Sequence, residues 1–242
     1  GLRMCSGYDD SYHQPPERLV EQWLALGYRG LVNHYVGMSH YFALAHVGGG
    51  RFEVAEGLCG AAAAWHRGLL RAARAAGFAL IFSLSFELFD AHAPAGWAQR
   101  DHLGGRALTG WTPPSTLLSP CNAAAIGWLG RIAAAFAGLM AEDGGEVRFQ
   151  VGEPWWWVGP GGAPCFYDAA TAAARAAARG VAAPVMVDVL GARSAAERDY
   201  LDWLGARLAA ATFAVRDAAR AVAAGRFTGL LLFYAPQVLD AA

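Results

Sequence analysis

Residues 61–85 read AAAAWHRGLLRAARAAGFALIFSLS, and this stretch decides the fold class. Its first part, Ala61 to Ala76, has the pattern of an alanine-rich helix that stops at Gly77. Its second part, Phe78 to Ser85, is a continuously apolar run. Such a run is typical of a strand buried on both faces, as in a parallel sheet that helices cover. The stretch therefore predicts one helix–strand unit of an α/β protein.

The same alternation of apolar runs and helical patterns continues in both directions along the chain. The predicted strands are Leu2–Ser6, Gly30–Tyr35, Phe78–Ser85, Val147–Val151, Pro184–Val189 and Gly229–Tyr234. The predicted helices are Pro15–Gly27, Ala61–Ala76, Ser119–Gly144, Asp168–Arg179 and Arg193–Ala224. The last helix is longer than the usual range of roughly 8 to 20 residues, so we expect a break near Gly205 or Thr212.

Six clear strands in 242 residues favour a TIM-like (β/α) barrel, distorted or incomplete, because a full barrel has eight strands in about 250 residues. An open doubly wound sheet is the alternative. No glycine-rich phosphate motif follows the first strand, where the chain reads Gly7 to Tyr12, and this disfavours the alternative. We expect residues 1–242 to form a single barrel domain that belongs to a longer chain.

Composition narrows the function classes. Hydrophobic residues make up 55% of the chain and charged residues 16%, so the chain can bury a large core. A net charge of −1 gives no field that attracts nucleic acid. We find no signal peptide and no uninterrupted apolar run of about 18 residues, which predicts no membrane span.

The cysteines and histidines do not have the spacing of a metal or cofactor site. The four cysteines form no CxxC pair, and we expect mostly free thiols, with Cys121 and Cys165 the only pair of interest. The histidines form neither HxxxH nor HExxH. We therefore predict no metal and no cofactor.

Polar and aromatic side chains are concentrated just after the predicted strands, at the edge where parallel α/β folds bind ligands. Aromatic rings pack on the apolar faces of sugars, and carboxylates and amides bind hydroxyl groups, so the pattern indicates a carbohydrate-facing groove. The candidate binding residues are Asp9, His34, Tyr35, His40, Trp111, Gln150, Trp155, Trp156, Trp157 and Tyr234.

Two carboxylates are candidate catalytic residues. Glu153 follows the fourth predicted strand, and Glu87 follows the third. Neighbouring strands lie about 4.8 Å apart, so the two side chains are expected to face each other across the groove. Glycoside hydrolysis needs such a pair, one member of which holds a proton near neutral pH. The three tryptophans after Glu153 are expected to raise its pKa by desolvation, and Asp188 is an alternative partner.

Structural roles compete with each of these interpretations. Glu153 has Arg148 or Arg3 as a candidate salt-bridge partner, and Glu87 could anchor a loop. Asp9 could cap a loop, and His34 could be a hydrogen-bonded residue of the rim. At least two rings of Trp155–Trp157 could fill core beneath the long loops.

The segment Val151–Pro154 resembles the Asn-Glu-Pro that follows strand four in the largest clan of barrel glycoside hydrolases. In that clan the glutamate is the general acid/base, which the resemblance assigns to Glu153. Gly152 stands where the clan has asparagine. The clan's nucleophile is a glutamate at the end of strand seven, whereas the last strand here runs into Phe233–Gln237, which has no carboxylate.

Longer stretches resemble the TIM-barrel domain of phage and prophage non-contractile tail sheath-like proteins, akin to the barrel of gene-transfer-agent tail hubs. They are Asn33–Tyr41, Ser83–Asp90, Thr109–Ser115 and Gln150–Trp157. The resemblance implies a virion structural component of the tail, encoded by a prophage and made in the bacterial cytoplasm. It also implies other tail subunits as partners and a groove that touches cell-surface glycan.

Two functions follow from the sequence. The first is a barrel domain of a phage-type tail protein, structural or glycan-binding, with a hydrolase-like groove. The second is an active glycoside hydrolase that uses Glu153 as acid and Glu87 or Asp188 as partner. A sugar-phosphate barrel enzyme has less support, because Gly229–Tyr234 offers no glycine-rich phosphate loop.

Overall fold

A computed structural model describes residues 3–232. Five parallel strands form its central sheet in the order β1-β2-β5-β8-β9. Their bounds are β1 Met4–Gly7, β2 Leu31–Tyr35, β5 Ala79–Ser85, β8 Val147–Gly152 and β9 Phe227–Leu232. The fold is an α/β TIM-type barrel in distorted form, as the sequence predicts, with all four neighbouring strand pairs parallel.

Six α-helices lie among the described residues, and four of them cover one face of the sheet. The six are α1 Tyr8–Ser11, α2 Pro16–Ala25, α3 Gly60–Ala75, α4 Ala123–Glu142, α5 Ala169–Arg179 and α6 Ala195–Val222. Helices α2, α3, α4 and α6 carry apolar stripes that pack with alternate residues of β2, β5 and β8, such as Val32, Phe82 and Phe149. We call this helix-covered side the outer face and the opposite side the inner face.

Helix α4 is the most buried helix. Residues Ala123–Glu142 are long and apolar enough to cross a membrane by length and composition. Trp128, Ile132 and Phe136 on this helix are nevertheless fully buried within the domain core. The hydrophobicity of α4 is therefore accounted for by its packing among the sheet, α3 and α6.

The two long connections that the sequence predicts as loops contain strands of their own. After β2 the chain forms an antiparallel hairpin of β3 Phe42–Gly48 and β4 Arg51–Leu58. After β5 it forms a short pair, β6 Glu87–Phe89 with β7 Ser115–Leu117. These additions bring loop residues back to the carboxyl edge of the sheet, which matters for the site.

The predicted strand Pro184–Val189 is wrong. No strand forms there, and β9 pairs with β8 directly, in the register Val147 with Phe227 and Gly152 with Leu232. The Tyr167 hydroxyl donates to the Pro184 carbonyl and accepts from the Met186 N–H. A side chain thus satisfies backbone groups that a neighbouring strand would otherwise pair.

The predicted break in the last long helix is also wrong. α6 is continuous over 28 residues from a capping box of Ser194 and Glu197. The Thr212 hydroxyl donates to the Leu208 carbonyl within the same helix, and this local bond does not interrupt α6. The start of α4 is corrected as well, since Asn122 rather than Ser119 caps it by accepting from the Ala125 N–H.

Candidate functional site

The inner face presents polar side chains at the centre of the sheet. Tyr35, Ser83 and Gln150 lie side by side in the registers of β2, β5 and β8. The Gln150 amide Nε2 donates to Ser83 Oγ at 2.9 Å, and both side chains are buried. This hydrogen bond fixes Gln150 as a buried part of the inner face, where the sequence predicts a binding residue.

Glu153 is placed by an unusual backbone conformation at the end of β8. Its φ is 54°, in the left-handed region that non-glycine residues seldom adopt. Gly152 before it has no room for a side chain, because a Cβ there would lie 2.6 Å from Ser83 Oγ and 3.4 Å from Tyr35 Cε1. Close packing of the inner face therefore disfavours a side chain at the position where the hydrolase clan has asparagine.

Glu153 lines a cavity of about 380 Å³ at the carboxyl edge of the sheet, which we call the inner cavity. It is lined by Cys5, Ser6, Gly7, Asp9, Asp10, Tyr35, Gly37, Met38, Ser85 and Glu153. The residues come from the ends of β1, β2, β5 and β8 and from the loops that follow them. The predicted convergence of Asp9, Tyr35 and Glu153 on one edge is what the structure shows.

Glu87 is buried and does not line this cavity. It is 3% exposed, and its Oε2 has no hydrogen-bond partner among the described residues. Burial and, to a lesser extent, the negative charge of Glu153 raise the pKa of Glu87 to about 7. The two predicted carboxylates are thus close enough to interact electrostatically, and Glu87 is the one that burial biases toward its protonated form.

Asp9 organises the loop after β2. Its Oδ2 accepts from the backbone N–H groups of Met38 and Ser39, at 2.9 and 3.3 Å. Its Oδ1 accepts from Ser39 Oγ at 2.9 Å and lies 3.1 Å from His40 Nδ1. Gly37 is required beside it, because its φ is 95° and a Cβ would lie 2.7 Å from Oδ2. Asp9 therefore combines the loop-capping role with a place on the cavity wall.

His40 and Trp111 line a second cavity of about 630 Å³, which we call the outer cavity. The His40 ring stacks on Tyr12 with centroids 4.4 Å apart. Trp111 is 49% exposed, and the remaining wall is largely apolar. The lining residues are Asp9, Met38, Ser39, His40, Phe42, Leu44, Phe89, His92, Trp111, Thr112, Pro113 and Ser115. Asp9 and Met38 belong to both cavities, which are therefore adjacent.

The three tryptophans after Glu153 are partly buried in the packing beneath the loops. Trp156 Nε1 donates to the Leu204 carbonyl, and Trp157 Nε1 donates to the Leu108 carbonyl. The Trp155 and Trp157 rings lie 6.1 Å apart and pack with Ala107, Leu117 and Cys165. None of the three lines either cavity. Their predicted contact with sugar stays a prediction.

His34 lines neither cavity, although its Nδ1 lies 3.3 Å from the Oγ of Ser6, which lines the inner cavity. It occupies the outer face of β2, fully buried, with its ring stacked on Trp65 at 5.6 Å. Burial and the neighbouring His66 hold the pKa of His34 well below its usual value. The strand's alternation explains the difference, since His34 and Tyr35 necessarily point to opposite faces.

The remaining candidates do not join the site. Asp188 pairs with Arg193. Arg148, one of the two predicted salt-bridge partners of Glu153, pairs with Glu146. All four cysteines are free thiols. Residues 3–232 contain no cluster of three side chains able to hold a metal ion. Tyr234 lies outside the described residues.

Sequence reasoning missed the residues that the hairpin and the short strand pair bring to the outer cavity. Phe42 begins β3, and Phe89 ends β6. The alternating pattern of Phe42–Leu58 was the signal available for the hairpin. The loop's glycines at 48–50 mark its turn.

Comparison with protein families gives one match over the whole chain. The family model of the non-contractile tail sheath protein TIM barrel matches residues 1–242. Among solved structures, the pneumococcal virulence factor studied for N-glycan recognition and hydrolysis aligns with a TM-score of 0.49 and 14% identity. That alignment covers 95% of this chain and 52% of the other.

Two other solved structures align less closely. A β-glucosidase aligns with a TM-score of 0.45 and 18% identity over 92% of this chain and 46% of its own. A GH31 dextranase of Flavobacterium johnsoniae aligns with a TM-score of 0.36 and 13% identity over 63% of this chain and 18% of its own. The chain spans about half the length of the first two of these structures.

Proposed function

Because the chain belongs to the TIM-barrel family of non-contractile tail sheath proteins, and so to the phage tail, we propose that its cavities bind a glycan of the bacterial cell surface. The family implies other tail subunits as partners. A cell-surface glycan is the further partner that we propose. The proposal also includes a prophage origin and synthesis in the bacterial cytoplasm.

One observation carries the glycan proposal: the adjacent inner and outer cavities share Asp9 and Met38. The outer cavity contributes the half-exposed indole of Trp111, and the inner cavity contributes carboxylates and the ring of Tyr35. Sugar recognition uses this combination, because rings cover the C–H face of a pyranose while carboxylates accept from its hydroxyls. Such concave sites with a few polar groups are the usual form of small-ligand pockets.

The test uses Trp111→Ala with Phe213→Ala as the matched control, since Phe213 on α6 is 51% exposed and lines neither cavity. Both variants and the parent chain are titrated with oligosaccharides released from bacterial cell walls. We expect Trp111→Ala to weaken binding about tenfold, because aromatic contacts of this size contribute about 1 to 1.5 kcal/mol. Equal binding by Trp111→Ala and the parent would place any glycan elsewhere.

Glycoside hydrolysis is the second candidate, and the Glu87–Glu153 interaction favours it. In this mechanism Glu87, the buried carboxyl, carries the proton, and Glu153 serves as the ionised partner. Hydrolysis would then depend on both residues, in contrast to the sequence-based assignment of the proton to Glu153.

Release of reducing sugar from the same oligosaccharides tests this candidate. We expect Glu153→Gln and Glu87→Gln each to abolish release, because each removes one member of the pair. Unchanged release in either variant would exclude that residue. No release by the parent chain, together with intact binding, would leave a binding domain.

A further inference from the structure

The outer cavity contains two imidazole rings to which the proposed function assigns no role. His40 comes from the loop after β2, and His92 comes from the turn after β6. A hydrogen bond of 2.9 Å joins His92 Nδ1 to the backbone carbonyl of Phe52. His40 differs from His92 because its partners include a carboxylate, that of Asp9. His40 is therefore the ring with the stronger orienting partner.

Hydrogen bonds assign the proton of the neutral His40 ring to one nitrogen. Its Nδ1 lies 2.6 Å from Ser39 Oγ and 3.1 Å from Asp9 Oδ1. The Ser39 hydroxyl donates its own hydrogen to Asp9 Oδ1 at 2.9 Å, and a carboxylate only accepts. Nδ1 is therefore the donor to these two oxygens. The lone pair of the neutral ring then lies on Nε2, which takes no part in either bond.

The backbone and a neighbouring ring hold His40 in this position. Its φ is 60°, in the left-handed region that residues other than glycine seldom adopt. The imidazole stacks on Tyr12, with the two ring planes 22° apart. The His40 side chain is nevertheless 49% exposed and lines the outer cavity. A strained backbone that holds an accessible side chain is typical of functional sites.

A carboxylate that orients an imidazole through Nδ1 is the arrangement of a general base. The carboxylate fixes the tautomer and stabilises the imidazolium that forms when Nε2 takes a proton. Ser39 lies at Nδ1 and donates to Asp9, so it is not the group that Nε2 activates. Water that enters the cavity is the nucleophile that remains for Nε2 to activate.

The wall of the outer cavity indicates the class of substrate. Phe42, Leu44, Phe89 and Pro113 line it and suit an apolar acyl group. Among the described residues its wall includes no arginine, and the chain has no lysine. Phosphate and sulfate esters are disfavoured for this reason, because their anionic oxygens are usually bound by cationic donors. An uncharged acyl ester fits the wall better.

We propose that the outer cavity hydrolyses short-chain acyl esters of sugar hydroxyl groups, with His40 as the general base and Asp9 as the residue that positions it. Nε2 takes a proton from water while the water oxygen bonds to the carbonyl carbon and the carbonyl electron pair moves to its oxygen. When that pair returns, the bond from carbon to the sugar oxygen breaks, and the imidazolium gives its proton to the sugar oxygen. The products are a carboxylic acid and a free hydroxyl group. The inference rests on the proposed glycan binding only for the sugar part of the ester.

The experiment measures ester hydrolysis by the full chain with two probes, p-nitrophenyl acetate and an O-acetylated N-acetylglucosamine oligomer. His40→Asn is the test variant, because asparagine tolerates the left-handed backbone. His46→Asn is its control, since His46 is exposed on β3 and lines neither cavity. We expect His40→Asn to lower kcat/KM at least about 100-fold, the lower end of general-base contributions. His46→Asn should retain the parent value.

Asp9→Asn tests the positioning role. We expect kcat to fall at least about tenfold with a smaller change in KM, because the amide no longer fixes the tautomer or stabilises the imidazolium. In the His40→Asn background the same substitution should have no further effect on the residual rate, whereas a merely structural role would lower the rate in both backgrounds.

Rescue by a small molecule tests whether a base is needed at this position. Glycine adopts a φ of 60° without strain, so His40→Gly keeps the backbone and leaves space for a ring. Added imidazole should restore part of the rate of His40→Gly beyond its effect on the parent chain. No such restoration would contradict the role of His40 as the base.

The outcomes separate the two proposals. Equal kcat/KM for His40→Asn and the parent chain, or no ester hydrolysis by the parent, would overturn this inference, and intact binding of oligosaccharides would leave the proposed function in place. Hydrolysis of p-nitrophenyl acetate that depends on His40, without hydrolysis of the acetylated oligomer, would overturn the sugar as the alcohol part of the ester. The same hydrolysis without binding of any oligosaccharide would overturn the proposed glycan binding.

Discussion

The outer and inner faces of the parallel sheet differ in what they bury, and adjacent residues of one strand show the difference. On β5, Phe82 points outward into the helix layer and contacts the rings of His34, His66 and Phe136. Ser83, the next residue, points inward and accepts from Gln150. The outer face therefore holds the apolar core, and the inner face holds a polar layer that leads to the cavities.

Titratable groups follow the same division. His34 and His66 are buried on the outer side, where desolvation lowers their pKa values. Glu87 is buried within reach of the charge of Glu153, and desolvation raises its pKa to about 7. In each case burial favours the neutral form. The buried histidines therefore destabilise the folded state in acid, whereas the buried glutamate destabilises it in base. A shifted pKa therefore does not by itself identify a functional site, because burial also shifts the pKa values of residues in the core.

The largest expected effect comes from a substitution that creates a cavity on the outer face, and it tests the difference between the two faces. We expect Phe82→Ala to lower the free energy of unfolding by about 3 to 5 kcal/mol, because Phe82 is fully buried among other rings. Its neighbour serves as the control: Ser83→Ala removes one hydrogen bond and should cost about 1 kcal/mol. Chemical denaturation measures both. Similar losses would contradict the division of the two faces.

Glu87 gives the next largest effect, and it depends on pH. Its pKa is about 7 in the folded chain against 4.5 for the free side chain, so ionisation above pH 7 destabilises the fold. Stability from this group is full below about pH 4.5 and is lost as the pH rises through 7. Glu87→Gln should therefore stabilise the chain by about 3 kcal/mol at pH 8 but by only about 1 kcal/mol at pH 5. An advantage that does not change with pH would contradict the burial of an ionisable Glu87.

The outer face should show the opposite dependence, at about 2 kcal/mol. His66 has a pKa of about 4 when folded against 6.5 when free, so the unfolded chain binds the proton more readily between these values. Stability from neutral His66 is present above pH 6.5 and falls as the pH drops toward 4. In the Glu87→Gln background we expect unfolding at pH 5 to become easier by about 2 kcal/mol from His66 alone. His66→Leu should make this slope shallower by that amount without abolishing it, because buried His34 contributes in the same direction. An unchanged slope in His66→Leu would contradict the burial of a neutral His66.

Sequence patterns predict the layers of this fold better than they predict its site. The helix and strand of residues 61–85 appear within one residue of their predicted bounds, because a buried strand and an amphipathic helix depend on local patterns. The convergence of Asp9, Tyr35 and Glu153 also follows from parallel topology.

The sequence predicts His34 at the rim because its neighbours are polar and aromatic residues. The alternation of side chains along β2 instead points His34 into the core. Pro184–Val189 has strand-like composition, but whether it pairs depends on the distant Tyr167 and β9, which no local pattern encodes.

The smallest expected effect tests why the chain has glycine where the hydrolase clan has asparagine. Gly152→Ala places a Cβ 2.6 Å from Ser83 Oγ, so a neighbour must shift. We expect a loss of about 1 kcal/mol, because overpacking is partly offset by the lower flexibility of alanine in a strand. In the Ser83→Ala background the close contact disappears, and the same substitution should be neutral or slightly stabilising. A double-mutant cycle measures this coupling. Additive effects of the two substitutions would show that crowding by Ser83 does not select the glycine, and that another property of the inner face keeps the clan's asparagine out.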